Sequence, residues 1–353
     1  MKKFLIPIIA FILLFIGCKN ANNNVQNIKN EAVTTIHDAN KNTKNDSKTE
    51  EKVFYTEDSI IKFKDKEIEQ SIKQALNITD NNYKLTFKDL LSITKRLGES
   101  FRVETTNENW FEDFDKILLC KNADDLQLIT PSFDKVDLTK LKELTKLRVL
   151  FLTKKNSTGS INTNFLPKMK NLKYLTLNNF NLNNANYEDL KNLNNLQSLS
   201  FIKCKNISIE KISELKSLRL LAFDTIDLSK NNLSPLSKLE KLDFLCLVDC
   251  NLQDFNVPVN TIRYLQLDNN KIKKIDLSNY ANLNTLQAKN NEISTILAPK
   301  KNNVIYFIDL PDNKLTDINF IKNLDGLIDL RVKGNDIKDL SPLKNRKNID
   351  FRN

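Results

Sequence analysis

Leu324-Asp325-Gly326-Leu327-Ile328-Asp329-Leu330-Arg331-Val332-Lys333-Gly334-Asn335-Asp336-Ile337 is the stretch that decides the fold. After Leu324, its repeat-spaced apolar residues fall at Leu327, Leu330 and Val332, the last two alternating with polar neighbours as in a short half-buried strand. Gly334-Asn335 then turns the chain, Ile337 follows, and Leu340-Ser341-Pro342-Leu343 closes the unit. Working back from Leu327, the same spacing opens at Ile305, Leu283, Ile262, Leu242, Leu218, Leu196, Leu172 and Leu147. In chain order from Leu147 the intervals are 25, 24, 22, 24, 20, 21, 22 and 22 residues. A degenerate copy, Ala123, Leu126 and Leu128, stands 24 residues before Leu147, and a truncated one begins at Ile349.

The pattern L-x-x-L-x-L-x-x-N/C-x-L at intervals of 20 to 29 residues is the signature of a leucine-rich repeat. One copy cannot bury its own leucines, so the copies must stack. The expected fold class is an α/β leucine-rich-repeat solenoid with a curved parallel β-sheet on the concave face, a 3-10 or irregular convex side and a small helical N-terminal cap. Pro235 and Pro342 suit the convex side, where no continuous ladder needs their missing N–H. The ladder position carries Asn270, Asn291, Asn313 and Asn335, but Phe180, Cys204, Ile226 and Cys250 in the earlier copies. A regular asparagine ladder is therefore expected only in the C-terminal half. Cys204 and Cys250 stand two repeats apart, roughly 10 Å at the usual strand spacing, too far for a disulfide. Cys120 and Cys246 have no evident partner either, so buried free thiols are expected.

The chain has 353 residues, 54 Lys plus Arg, 44 Asp plus Glu, a formal charge of +10 and a single His. His37 alone cannot supply a dyad, a triad or a multi-histidine metal site. The 5 glycines form neither a G-x-G-x-x-G nor a P-loop arrangement. No catalytic residue, metal site or cofactor is expected.

Residues 1–17 read as an export signal: Met1-Lys2-Lys3 is basic and Phe4 to Ile16 almost wholly apolar, a run too short for a comfortable membrane span. Leu14-Phe15-Ile16-Gly17-Cys18 resembles a bacterial lipobox, which implies acylation of Cys18. Residues 18–53 then form a polar tether, rich in Asn, Lys and Thr and too poor in apolar residues to fold, with a reach of roughly 30 to 35 Å. Residues 54–97 read as a helical cap, with Ile68, Ile72, Ala75 and Leu76 on one helix face, Asn77 as its stop, and a second short helix capped by Thr86. Residues 98–122, with Trp110, Phe111 and Phe114 among acidic neighbours, read as an irregular junction before a solenoid over 123–353.

The cap residues Phe63, Asp65, Glu69 and Ile72, the Thr86 to Ile93 segment and the 22-residue repeats resemble those of internalin-like bacterial leucine-rich-repeat surface proteins, over roughly residues 60 to 353. The resemblance implies a secreted, non-enzymatic binding module that holds a protein or glycan on its concave face. Members often continue into an immunoglobulin-like domain and a wall anchor; here the N-terminal lipid is the expected anchor, and the expected location is the cell surface (outer membrane).

Strand periodicity assigns one outward column to the concave face: Val149, Tyr174, Ser198, Leu220, Phe244, Tyr264, Thr285, Phe307 and Asp329. Six of these nine are apolar or aromatic, and Phe151 joins them from the next column, so an exposed binding patch is expected. The candidate ligand-binding residues are Val149, Phe151, Tyr174, Leu220, Phe244, Tyr264 and Phe307. Arg148, Lys173, Arg219 and Arg263 line a basic edge beside them. Cross-strand stacking that only stabilises the sheet is the competing reading of the aromatic column. Residues 138–220 carry 15 basic and 5 acidic groups. That balance favours an acidic partner such as an acidic protein face or a sulfated glycan, with no nucleic acid expected. The leading expectation is a lipid-anchored adhesin or receptor; the alternative is a periplasm-facing envelope scaffold that organises a bacterial component or self-associates.

Overall fold

In each repeat the strand residues alternate between two environments, and that alternation builds the molecule. In Val149–Lys154 the side chains of Leu150 and Leu152 are fully buried, whereas Val149, Phe151 and Thr153 on the other face are half-buried. A strand with one apolar row must lay it against a core, and here the core is the matching row of the next repeat. The computed structural model describes residues 54–94, 101–156, 158–183, 186–257, 260–346 and 348–352. The signal over 1–17, Cys18, the tether to residue 53 and residues 95–100 lie outside the described residues.

Among the described residues, twelve short strands form one parallel sheet in strict chain order. They are β1 (Arg102–Glu104), β2 (Asp125–Thr130), β3 (Val149–Lys154), β4 (Tyr174–Asn178), β5 (Ser198–Ile202), β6 (Leu220–Asp224), β7 (Phe244–Val248), β8 (Tyr264–Gln266), β9 (Thr285–Gln287), β10 (Phe307–Asp309), β11 (Asp329–Arg331) and β12 (Asp350–Arg352). Register follows the repeat: Leu150, Leu175, Leu199, Leu221, Leu245, Leu265, Leu286, Ile308 and Leu330 stand side by side. The return segments are short 3-10 turns and single-turn helices, including Leu138–Glu143, Ser234–Lys238 with Pro235 near its start, and Ser341–Leu343 with Pro342. This is a leucine-rich-repeat solenoid.

Two backbone devices set the repeat. Asn179, Lys203, Thr225, Asp249, Asn269, Asn290, Asp312 and Gly334, one per repeat after the strand, have φ between 51° and 75°. Left-handed backbone suits Gly, Asn and Asp; the β-branched Thr225 occupies it under strain. The next residue is the ladder position. Asn291 donates from Nδ2 to the Leu267, Ala288 and Lys289 carbonyls at 2.9, 3.3 and 3.2 Å and accepts from the Ile272 N–H at 3.1 Å. Asn270, Asn313 and Asn335 repeat this arrangement, and the ladder is regular in the C-terminal half alone. Earlier, the Cys204 thiol donates to the Leu177 carbonyl at 3.2 Å and the Cys250 thiol to Phe223 at 3.5 Å, while Phe180 and Ile226 fill the position with apolar bulk. A second row, at the strand-start edge, is not evident in the leucine pattern: Asn171, Asn195 and Asn282 donate to the Thr145, Lys170 and Asn260 carbonyls one repeat back, at 2.8, 2.9 and 2.7 Å.

The cap contains α1 (Lys66–Ala75), stopped at Asn77 with φ 58°, and α2 (Phe87–Leu91), opened by a Thr86–Asp89 capping box. Ile68, Ile72 and Leu90 are fully buried beneath it. Two buried carboxylates fasten the cap to the sheet: Asp113 accepts from the Lys64 and Asp65 N–H groups, both at 2.7 Å, and Asp65 accepts from the Thr105 hydroxyl at 2.6 Å.

The expectation of an irregular junction over 98–122 is corrected. That segment supplies β1, which pairs with β2 in register Val103↔Leu128, followed by a 3-10 turn, Trp110–Asp113, and a single helical turn α3 (Phe114–Ile117). Trp110 is buried, donates from Nε1 to the Ser132 carbonyl at 2.8 Å and packs edge-on against Phe114 and Phe133. It is an additional repeat whose core residues, Phe101 and Val103, lack leucine.

Replacing Asn291 by Ala strands a buried N–H and several carbonyls, and is expected to cost about 2 to 4 kcal/mol in urea unfolding. Asn291→Cys, which installs the residue native at Cys250, is expected to lose less; equal losses from the two variants would remove the polar ladder as the source of the effect.

Candidate functional site

The outward column of the sheet is built by the same register that buries the leucines. Val149 pairs with Tyr174, Tyr174 with Ser198, Ser198 with Leu220, Leu220 with Phe244, Phe244 with Tyr264, Tyr264 with Thr285, Thr285 with Phe307 and Phe307 with Asp329. All the candidate ligand-binding residues therefore share one face, the concave one.

Their exposure differs from the expected open patch. Val149, Phe151, Tyr174 and Phe307 are half-buried, whereas Leu220, Phe244 and Tyr264 are only 8%, 6% and 6% exposed. The neighbouring column explains the difference. In β6 and β7 it carries the small side chains Ala222 and Cys246, both buried, which let bulky neighbours settle onto the sheet. Phe244 and Tyr264 then pack ring to ring at 5.7 Å, tilted by 34°, and the Tyr264 hydroxyl donates to Gln287 Oε1. Leu220, Ala222, Phe244, Cys246 and Tyr264 form a floor separate from the main leucine core. Toward the C-terminal end, Phe307 lies under the Arg331 guanidinium at 4.8 Å, and Arg331 also pairs with Asp329 at 3.0 Å.

The basic edge is also corrected. Backbone bonds string Asp124, Arg148, Lys173, Gln197, Arg219, Asp243 and Arg263 into one row at the strand starts. Asp124 pairs with Arg148, and Asp243 lies 3.2 Å from Arg219 and 3.9 Å from Arg263. The row is mixed in charge because the repeat position holding Arg219 and Arg263 also holds the two aspartates. Arg219 and Arg263 nevertheless remain 61% and 58% exposed.

Carboxylates line the opposite, strand-end edge at Asp224, Asp249 and Asp268, a feature not singled out from sequence; reading the one or two residues beyond the last inward apolar residues Phe223, Leu247 and Leu267 would have found it. Burial pushes the Asp224 carboxyl up, and the nearby Asp249 charge adds to the rise. Burial likewise raises Asp268, although it accepts from Gln266 Nε2 at 2.8 Å and from the Lys289 N–H at 2.9 Å. Inside that edge, in the column of Cys246, Gln266 and Gln287, Asp309 is raised by burial too, against the nearby Arg331.

Cys120, Cys204, Cys246 and Cys250 are free and buried. Burial pushes the Cys204 thiol up to about 11 and those of Cys246 and Cys250 up to about 12, which leaves them unreactive near neutral pH. Among the described residues no group of His, Cys, Asp and Glu is arranged to hold a metal ion, and no helix is long and apolar enough to cross a membrane. The arrangement offers contact area and edge charges.

No protein-family model matches the chain, and no curated protein matches it. Among solved structures, an internalin (InlF) of Listeria monocytogenes superposes with a TM-score of 0.52 at 21% identity, covering 82% of this chain and 95% of that one. Internalin C2 of the same organism matches at 19% identity over 81% and 92% of the two chains, with a TM-score of 0.33. TLR13, solved in complex with a single-stranded RNA, matches at 20% identity over 67% of this chain and 40% of its own, with a TM-score of 0.47. At this identity the first likeness is one of fold alone, a leucine-rich-repeat solenoid.

Because the folded state holds Asp224 protonated to higher pH than the unfolded chain does, its ionisation costs stability as pH rises above about 4. Asp224→Asn is expected to unfold at a higher temperature than the native chain at pH 7, with the gap closing as pH falls to 4; a pH-independent gap would refute this.

Proposed function

We propose that this chain is a non-enzymatic protein-binding module, anchored by a lipid on Cys18 and displayed outside the cell, that engages a protein ligand through the concave face of its solenoid in the manner of an adhesin or receptor. The observation that carries the reading is the floor of Leu220, Ala222, Phe244, Cys246 and Tyr264, an apolar surface laid on the outward face of the sheet apart from the leucine core. Apolar side chains held rigidly on an outer face between charged edges suit the centre and rim of a protein interface. Half-buried Val149, Phe151, Tyr174 and Phe307 extend that surface along the sheet. The basic excess over residues 138–220 supports a ligand with an acidic face, a sulfated glycan being the other chemistry of that charge.

The lipid anchor rests on the lipobox-like Leu14 to Cys18 and the polar stretch that follows. It favours a domain held clear of a membrane over one free in solution.

The test pairs topology with binding. Protease added to intact cells is expected to release the solenoid by cleaving within residues 19 to 53, and Cys18→Ala is expected to move the protein out of the membrane fraction. The full chain is expected to retain a host extracellular protein that a Phe151→Ser, Tyr174→Ser double variant, folded by circular dichroism, does not. Protection from protease together with capture of an envelope protein would overturn the display reading in favour of a periplasm-facing scaffold; equal capture by both chains would overturn the concave face.

A further inference from the structure

The three central strands have a polarity that the rest of the sheet lacks. At the start of β6, β7 and β8 stand Arg219, Asp243 and Arg263, the two guanidiniums exposed and sharing one carboxylate. Each guanidinium has five N–H donors, so Asp243 leaves most of them for another acceptor. At the far end of the same strands stand Asp224, Asp249 and Asp268, bounded by Lys203 one repeat before and Lys289 one repeat after. Asp249 is exposed, Asp224 half-buried, and Asp268 buried with its oxygens engaged by Gln266 and Lys289. Between the edges lies the apolar floor of Leu220, Phe244 and Tyr264. A cross-section along β6 therefore runs from positive through apolar to negative.

Dimensions restrict what fits. Arg219 and Asp224 are five residues apart on one strand, about 16 Å at the usual rise, and three strands span about 10 Å between their outer axes. About 16 Å is also the length of about 11 helical residues, and an α-helix with its side chains is about 10 to 12 Å across. An extended peptide would cover one strand's width and leave most of the floor wet.

We propose that this band receives an amphipathic α-helix of the protein ligand, about three turns long and lying parallel to the strands, with acidic side chains in its first turn against Arg219 and Arg263, an apolar stripe on Leu220, Phe244 and Tyr264, and basic side chains in its last turn against Asp224 and Asp249. The charge order matches what a helix itself prefers, with acidic residues at its N-terminus and basic ones at its C-terminus. This inference rests on the concave face being the binding face.

The test uses three synthetic 14-residue helical peptides with one shared apolar stripe: Glu in the first turn and Lys in the last, Glu at both ends, and Lys at both ends. Fluorescence anisotropy with the full chain is expected to rank the bipolar peptide about tenfold tighter than either other, with the gap shrinking in 0.5 M salt. An Arg219→Glu, Arg263→Glu variant is expected to prefer the peptide with Lys at both ends. An Asp224→Asn, Asp249→Lys variant is expected to prefer the one with Glu at both ends. Asp249→Lys alone, at an exposed left-handed position of the kind Lys203 already occupies, serves if the double variant does not fold. A preference that moves with the protein's charges cannot come from differences in peptide helicity. Equal binding of the three peptides, no binding, or a ranking unmoved by the charge swaps would overturn the proposal. Equal binding that is lost on Phe244→Ser would leave the concave reading standing and remove the polarity alone.

Discussion

Every repeat of this protein is incomplete by itself. One strand face carries leucines that only the neighbouring repeat can cover, and one backbone row carries donors and acceptors that only the neighbouring repeat can pair. Asn291 shows both halves of that dependence, since its amide spans the Leu267 carbonyl, one repeat back, and the turn of its own repeat. Once stacking is obligatory, strand order, register and the shared outward face follow without further specification. The cap is the boundary condition: Asp65 and Asp113, both buried, tie it to the first described repeat through Thr105 and the Trp110–Asp113 turn.

A framework that satisfies itself internally leaves its outward columns free to vary, and they vary in blocks. The N-terminal repeats present half-buried Val149, Phe151 and Tyr174; the middle repeats hold a closely packed floor; the C-terminal repeats hold ion pairs such as Arg331 with Asp329. The middle block is distinctive because small Ala222 and Cys246 alternate with large Leu220, Phe244 and Tyr264. Large side chains beside small ones lie down, and lying down rigidifies them, which under the proposed function lowers the entropic cost of binding. The buried thiol of Cys246 belongs to that floor as a space-filling residue.

The repeats were legible because leucines at fixed intervals are a direct imprint of burial. The restriction of the asparagine ladder to Asn270, Asn291, Asn313 and Asn335 was legible for the same reason: one position, one hydrogen-bonding role. The first repeat was not, since Phe101 and Val103 do in β1 what leucines do elsewhere, and a pattern search keyed to leucine passes over them. Nor was the charge at the strand starts, where Asp124 and Asp243 interrupt what looks in the sequence like a row of Arg and Lys. All of the proposed concave residues could be assigned to a face from period-two alternation, but their exposure could not, because it depends on the size of the side chains in the adjoining column.

The amino-acid sequence by itself determined the fold class, the order and number of most repeats, the inward and outward faces of each strand, and the free state of Cys120, Cys204, Cys246 and Cys250, because each follows from spacing along the chain. Only the tertiary structure decided that Trp110 is a core residue of an added repeat, that Phe244 and Tyr264 pack down onto the sheet while Phe151 and Tyr174 are half open, and that Arg219 and Arg263, with Asp243 between them, stand at the opposite end of the central strands from Asp224, Asp249 and Asp268. These depend on which side chains meet across neighbouring repeats 20 to 25 residues apart, and mutual contact, unlike periodicity, leaves no mark on a single repeat.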